Sequence, residues 1–283
     1  MYTAIQYDTF CILLTICACS ALYCFVVGQL THNYSQMDKL WSLLPIAYVW
    51  VIAGKGSMKT GLVIYALVVT AWGIRLTINF ARKGAYSIRF WEGREDYRWS
   101  IVHSSPIFKS NFTWALFNLF FISIYQNILV LAICLPAWAA ISSDTAFSAV
   151  QIAGLTAVVL FLVLETVSDE YQWNYHKKKN QLLKEKGRLE DLPYPYSLGF
   201  NVTGPWSRMR HPNYLGEQGF WLSLYFFAMG ARLHFTIMGP LLLILLFIGS
   251  SALGEAISSG KYPMYDEYVR QVRKYLPVHK FKG

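Results

Sequence analysis

Apolar positions in this chain run in long blocks, not in the alternation of a half-buried strand. The blocks fall at 10–28, 40–53, 61–80, 112–139, 146–168, 214–231 and 234–254. A bilayer core about 30 Å thick needs about 20 apolar residues per helix. The pattern therefore predicts an all-α polytopic membrane protein of about seven transmembrane helices. The second block is short. The fourth contains Pro136, so its helix is expected to break or kink near the end. The first block has no basic stretch before it and no small-residue cleavage site after it, so it is expected to be a retained helix. No internal repeat interrupts the series, and residues 1–283 are expected to form a single membrane domain.

Composition agrees with lipid as the solvent. Charged residues make up 14% of the chain and apolar ones 55%, whereas a soluble domain carries about 25% charged residues. The charges also give a direction. With seven spans and a cytoplasmic C-terminus, 21 of the 25 basic residues fall on the cytoplasmic side. Lys55, Lys59 and Arg232 lie opposite, and Arg75 lies within a span. That is the positive-inside bias, and it accounts for most of the net charge of +9 without any nucleic-acid partner. The five cysteines all sit in apolar blocks at spacings that suit neither metal nor disulfide, and are expected to be buried free thiols.

Polar side chains inside the blocks mark candidate chemistry, since an ionisable group there costs about 3 kcal/mol on insertion scales. Arg75 and Asn79 share one face of the third helix, with Trp72 one turn earlier. Arg75 either snorkels to the membrane edge or lines a cavity. Glu165, Asp169, Gln172 and His176 are spaced 4, 3 and 4, one stripe at the end of the fifth helix. Asp38 precedes the second helix, either as its N-cap or as a desolvated carboxyl able to hold a proton. The run Arg210, His211, Pro212, Asn213, Tyr214 opens the sixth helix, with Glu217 on the face of Asn213. Pro212 suits the first helical position, and Arg210 and His211 beside the free N–H groups suggest an anion site. The tail places Tyr262, Tyr265 and Tyr268 three apart, suggesting a short amphipathic helix on the membrane surface. GKGSMKT at 54–60 lacks the glycine a phosphate loop needs before its lysine and is expected to be a turn.

With RHPNYLGE at 210–217, several stretches resemble the steroid 5α-reductase family in order. They are MDKLWSLLP (37–45), WGIRLTINFARKG (72–84), ETVSDEYQW (165–173) and KYPMYDEYVRQVRKYLP (261–277). The RHPNY element is shared with sterol reductases and isoprenylcysteine carboxyl methyltransferases. The resemblance implies a cofactor-binding C-terminal part at 146–283 and reduction of a lipid-like enone by hydride transfer from NADPH. It assigns Arg75, Asn79, Asp169, Gln172, Arg210, His211, Asn213, Tyr214, Glu217 and Tyr262 to the cofactor. Asp38 stands where the family's glutamate is expected. Trp72 stands where its tyrosine is expected, and an indole N–H is a poorer proton donor than a phenol. Two other readings stay open, an S-adenosylmethionine-dependent membrane methyltransferase and a non-enzymatic lipid-binding or assembly protein. The expected location is the bacterial inner membrane or the endoplasmic reticulum, with membrane lipid and a lipid-like small molecule as partners.

Overall fold

The computed structural model describes residues 2–143 and 147–282, and among them every regular element is helical. In chain order these are α1 (Ala4–Thr31), α2 (Gln36–Leu40), α3 (Leu43–Lys55), α4 (Thr60–Ala81) and α5 (Tyr97–His103). Next come α6 (Asn111–Phe117), a π-helical segment (Asn118–Tyr125) and α7 (Gln126–Ala139). The series closes with α8 (Ala149–Lys186), α9 (Pro212–Met229), α10 (Met238–Lys261) and α11 (Tyr265–Gln271). Five helical stretches are long and apolar enough to cross a membrane: Ala4–Thr31, Thr60–Ala81, Asn111–Ala139, Ala149–Lys186 and Phe235–Lys261. Most of the apolar surface of α1, α8 and α10 faces outward, with Leu14, Leu22, Val159, Leu160 and Leu245 exposed. Such bands are stable in hydrocarbon and not in water.

Each expected block lies on a helix, with instructive differences at the ends. The second block divides into α2 and a 13-residue α3, so Asp38 belongs to a separate short helix. Pro136 does not end its helix, which runs on to Ala139. The fifth block becomes a 38-residue helix that leaves the apolar stretch and continues as a polar arm. Its expected first residue, Ala146, and Gly283 at the end of the expected C-terminal part, lie outside the described residues. Cys17, Cys24 and Cys134 are buried free thiols, but Cys11 and Cys19 are exposed on α1, a correction to the expectation for all five. Within the segment 54–60 the turn is at 56–58, between the end of α3 and the start of α4, and Ser57 and Met58 take positive φ.

The chain divides into two compact units, Met1–Gly154 with Leu224–Leu242, and Leu155–Ser223 with Leu243–Gly283. In the first, α3 and α4 pack closely at Gly73, where a Cβ would come within 2.6 Å of the Ser42 carbonyl oxygen and of Ile46. The pair is tied by Trp50 Nε1 donating to Thr70 Oγ1 (3.0 Å) and by a Ser42–Thr77 hydroxyl contact (2.7 Å). The π-helical segment lets the Ser123 hydroxyl donate to Asn118 Oδ1, five residues away (3.3 Å). An α-helix would set those two side chains about 140° apart.

In the second unit α9 approaches α8 through Gly216 and Gly219, whose Cβ atoms would strike Glu165 and Phe161 at 2.6 and 2.5 Å. The expected short amphipathic helix of the tail is α11, but its apolar face packs on protein and is not free to lie on a membrane. Tyr265, Tyr268 and Val272 are buried against Phe200, Val202 and Phe281. The Tyr268 hydroxyl donates to the carbonyls of Trp206 and Met209. Backbone bonds from Arg210 to Arg273 and from His211 to Lys274 (both 3.1 Å) fasten the chain after α11 to the start of α9. All three tyrosines of the run meet the Phe200 ring, with centroids 5.9, 4.9 and 5.3 Å away.

Candidate functional site

Polar side chains gather in two places, one in each unit. In the first, α4 carries Trp72, fully buried, Arg75, partly buried, and Asn79, buried. Arg82, at the end of the helix, donates from Nε and Nη2 to Asn79 Oδ1 (3.1 and 2.9 Å), so the amide oxygen is held by the next turn. Asp38 sits in the first turn of α2 and caps nothing, since the residues preceding α2 and α3 are Ser35 and Ser42. Its Oδ2 accepts from Trp99 Nε1 at 2.7 Å.

Around Asp38 the segment after α4 folds back over α2. Lys39 is fully buried and donates from Nζ to the carbonyls of Phe90 (3.0 Å) and Glu92 (2.5 Å). The Tyr86 hydroxyl donates to the Lys39 carbonyl (2.8 Å), and Glu95 accepts from the Tyr34 amide (2.6 Å). Asp96 accepts from Arg98 Nε and Nη2 at 2.8 and 3.0 Å. Burial pushes the Asp38 carboxyl above the usual carboxylate range; the Arg98 guanidinium opposes this and the Asp96 charge adds to it. Burial alone would raise Asp96 as well, but its Arg98 contacts win and hold it low. Two neighbouring carboxyls are thus driven in opposite directions, and Asp38 is the one that keeps its proton further up the pH scale.

The second unit holds the other cluster. Asn213 Nδ2, at the start of α9, donates to Asp169 Oδ1 on α8 (3.3 Å), while Asn213 Oδ1 is buried and has no hydrogen-bond partner. Gln172 Nε2 lies 3.1 Å from His176 Nε2 one turn further along α8, and Gln172 Oε1 is likewise buried without a partner. Glu217 accepts from Trp221 Nε1 (3.1 Å). The rings of His211 and Tyr214 stack with centroids 5.1 Å apart. The Arg210–His211 corner already holds an anion of the chain itself. Glu255 Oε1 accepts from Arg210 Nε at 2.9 Å and lies 2.9 Å from His211 Nε2, with Lys274 Nζ at 3.4 Å from Oε2. Arg210 also donates to the carbonyls of Val269 and Val272. Tyr262 packs against Gly199, which has φ 83° and where a Cβ would meet the ring at 2.3 Å.

Of the residues singled out in the sequence, the structure brings Asp169 to Asn213, and Arg210 to His211 and Tyr214. Four partners were missed. Arg82, three residues after Asn79, could have been found from helical spacing. Trp99, Glu255 and Lys179 carried no local signal, because their partners Asp38, Arg210 and Gly199 lie 61, 45 and 20 residues away.

A family model described as "Protein of unknown function (DUF1295)" matches residues 24–272. The chain belongs to the DUF1295 family. Its match begins within α1 and ends just beyond α11, so both clusters lie inside the family's extent. A relative in Schizosaccharomyces pombe, the "Uncharacterized protein C594.04c", is 34% identical over 275 residues, covering 90% of this chain and 78% of that protein. No solved structure matches the chain.

Proposed function

We propose that this DUF1295 protein is a membrane reductase that transfers a hydride from NADPH to the conjugated double bond of a steroid- or isoprenoid-like lipid. The observation that carries the reading is the Asp169–Asn213 pair. Its members come from two helices held close by Gly216, and they coincide with the acidic and amide cofactor contacts that the steroid 5α-reductase resemblance implies. The donor set fits such a cofactor. One Asn213 N–H is spent on Asp169, and the buried Oδ1 is left to accept from an incoming N–H of the kind a carboxamide carries. NADPH, when bound, supplies the hydride. The chain's own contribution there is orientation, since Asp169 fixes which way the Asn213 amide points. Asp38 holds a proton at its carboxyl into a range where an ordinary aspartate is charged, which suits it to donate to the enolate oxygen that develops as the conjugated double bond takes up a hydride.

The same proposal takes α3 and α9 as the sixth and seventh spans, with the C-terminus cytoplasmic, in the bacterial inner membrane or the endoplasmic reticulum. Its test is cofactor binding by purified protein in detergent, measured by titration calorimetry. NADPH is expected to bind, and Asn213→Ala to weaken it about tenfold, the loss of one hydrogen bond. NADPH oxidation is then followed with 3-oxo-4-ene steroids and polyprenals. Binding of S-adenosylmethionine in place of NADPH would move the assignment to methyl transfer, and binding of neither would leave a scaffold without this chemistry.

A further inference from the structure

Lys179 is a buried cation with no counter-ion among the described residues. It retains only 7% of its surface, and its one hydrogen bond is from Nζ to the Gly199 carbonyl (2.7 Å). Buried charges are ordinarily paired, because the cost of dehydrating an ammonium is several kcal/mol. Here the neighbouring charge is of the same sign. Lys261 acts on Lys179 as a second positive charge, and its own Nζ forms no ion pair among the described residues. Both ammonium groups lie over the ring of Tyr262, at 5.7 Å for Lys179 and 5.2 Å for Lys261. Tyr175 flanks Lys179 at 5.8 Å. Cation–π contacts of this kind are modestly favourable but leave the net charge in place. The Tyr262 hydroxyl makes no hydrogen bond among the described residues, and Lys179 has used one of its three donors.

We propose that Lys179, Lys261 and Tyr262 form a phosphate-binding site in the second unit. A phosphate group would relieve the like-charge pair and accept from ammonium and phenol donors together. Gly199 is what allows the arrangement. Its left-handed backbone aims the carbonyl at Lys179, and the absence of a Cβ lets the Tyr262 ring lie against it. The phosphate can come from a nucleotide, in which case the site deepens the NADPH reading, or from the headgroup of an anionic lipid.

The test uses the full-length protein in nanodiscs, with affinities measured for NADPH and for NADH, which has one phosphate fewer. Thermal stability is compared in phosphatidylcholine discs with and without phosphatidic acid. Lys261→Gln is the main variant, because this exposed side chain makes no hydrogen bond whose loss would harm the fold. Lys179→Gln is the second. If a nucleotide is the source, NADPH binds more tightly than NADH, and Lys261→Gln reduces that preference about tenfold. If a lipid is the source, phosphatidic acid stabilises the wild type and not the variants, while nucleotide affinities stay unchanged. Variants that match the wild type toward all three probes overturn the proposal, even where NADPH binds and the reductase reading stands. Loss of NADPH binding altogether, with a lysine-dependent response to phosphatidic acid, removes the reductase reading and keeps this one.

Discussion

Asp38 shows how much one residue's role depends on partners distant in the chain. Its spacing within 37–45 suits a helix cap, yet the folded chain gives it an indole donor from Trp99 and a carboxylate neighbour in Asp96. Because its pKa is raised in the fold, Asp38 remains protonated over a pH range in which the unfolded chain is already charged. Its contribution to stability is therefore greatest below about pH 4, the ordinary carboxylate value, and declines as pH climbs through the folded-state pKa. Asp38→Asn removes that ionisation while keeping an oxygen for Trp99. The variant is expected to match the wild type near pH 4 and to melt higher near pH 7, as measured by thermal unfolding in detergent across that range. A wild type that gains on the variant as pH rises would show that Asp38 is stabilised as the charged form.

Among the elements, the crossing of α8 and α9 matters most for the site. Gly216 lies three residues after Asn213, and its missing Cβ lets the Glu165 backbone approach, one turn before Asp169. Gly216→Ala inserts a methyl 2.6 Å from Glu165 Cβ and 3.0 Å from its Cα, so a helix must move. Overpacking of this kind costs about 1–3 kcal/mol, and here it also parts Asp169 from Asn213. Lower thermal stability together with weaker NADPH binding is expected. Gly249→Ala on α10 is the control, since nothing lies within 4 Å of its added methyl and helix propensity favours alanine. Equal effects of the two substitutions on binding would remove the crossing from the account.

At the scale of the whole molecule, the proposed count of seven spans places the N-terminus opposite a cytoplasmic C-terminus. The turn at 56–58 then faces the side of the N-terminus. Single cysteines placed there and near residue 280, in a background without the native thiols, are expected to label from opposite sides of sealed vesicles with a membrane-impermeant maleimide. Labelling from one side would mean an even number of crossings after the turn, and so that α9, 18 residues and about 27 Å long, does not cross.

The blocks of apolar residues were enough to determine the all-helical class and the long apolar helices, because a bilayer punishes any other use of such sequence, and Pro212 itself marked the start of α9. Spacing along single helices was also legible, as with Arg75 and Asn79 on α4 or the stripe on α8. Tertiary structure alone decided which of these polar groups have protein partners. Glu255 occupies the Arg210–His211 corner, Tyr265 and Tyr268 pack into an aromatic core, and Lys179 and Lys261 share one ring. The reason is physical: helical periodicity and hydropathy are local and repeat along the chain. Pairing of buried charges and aromatic rings depends on distances between segments that no local pattern encodes.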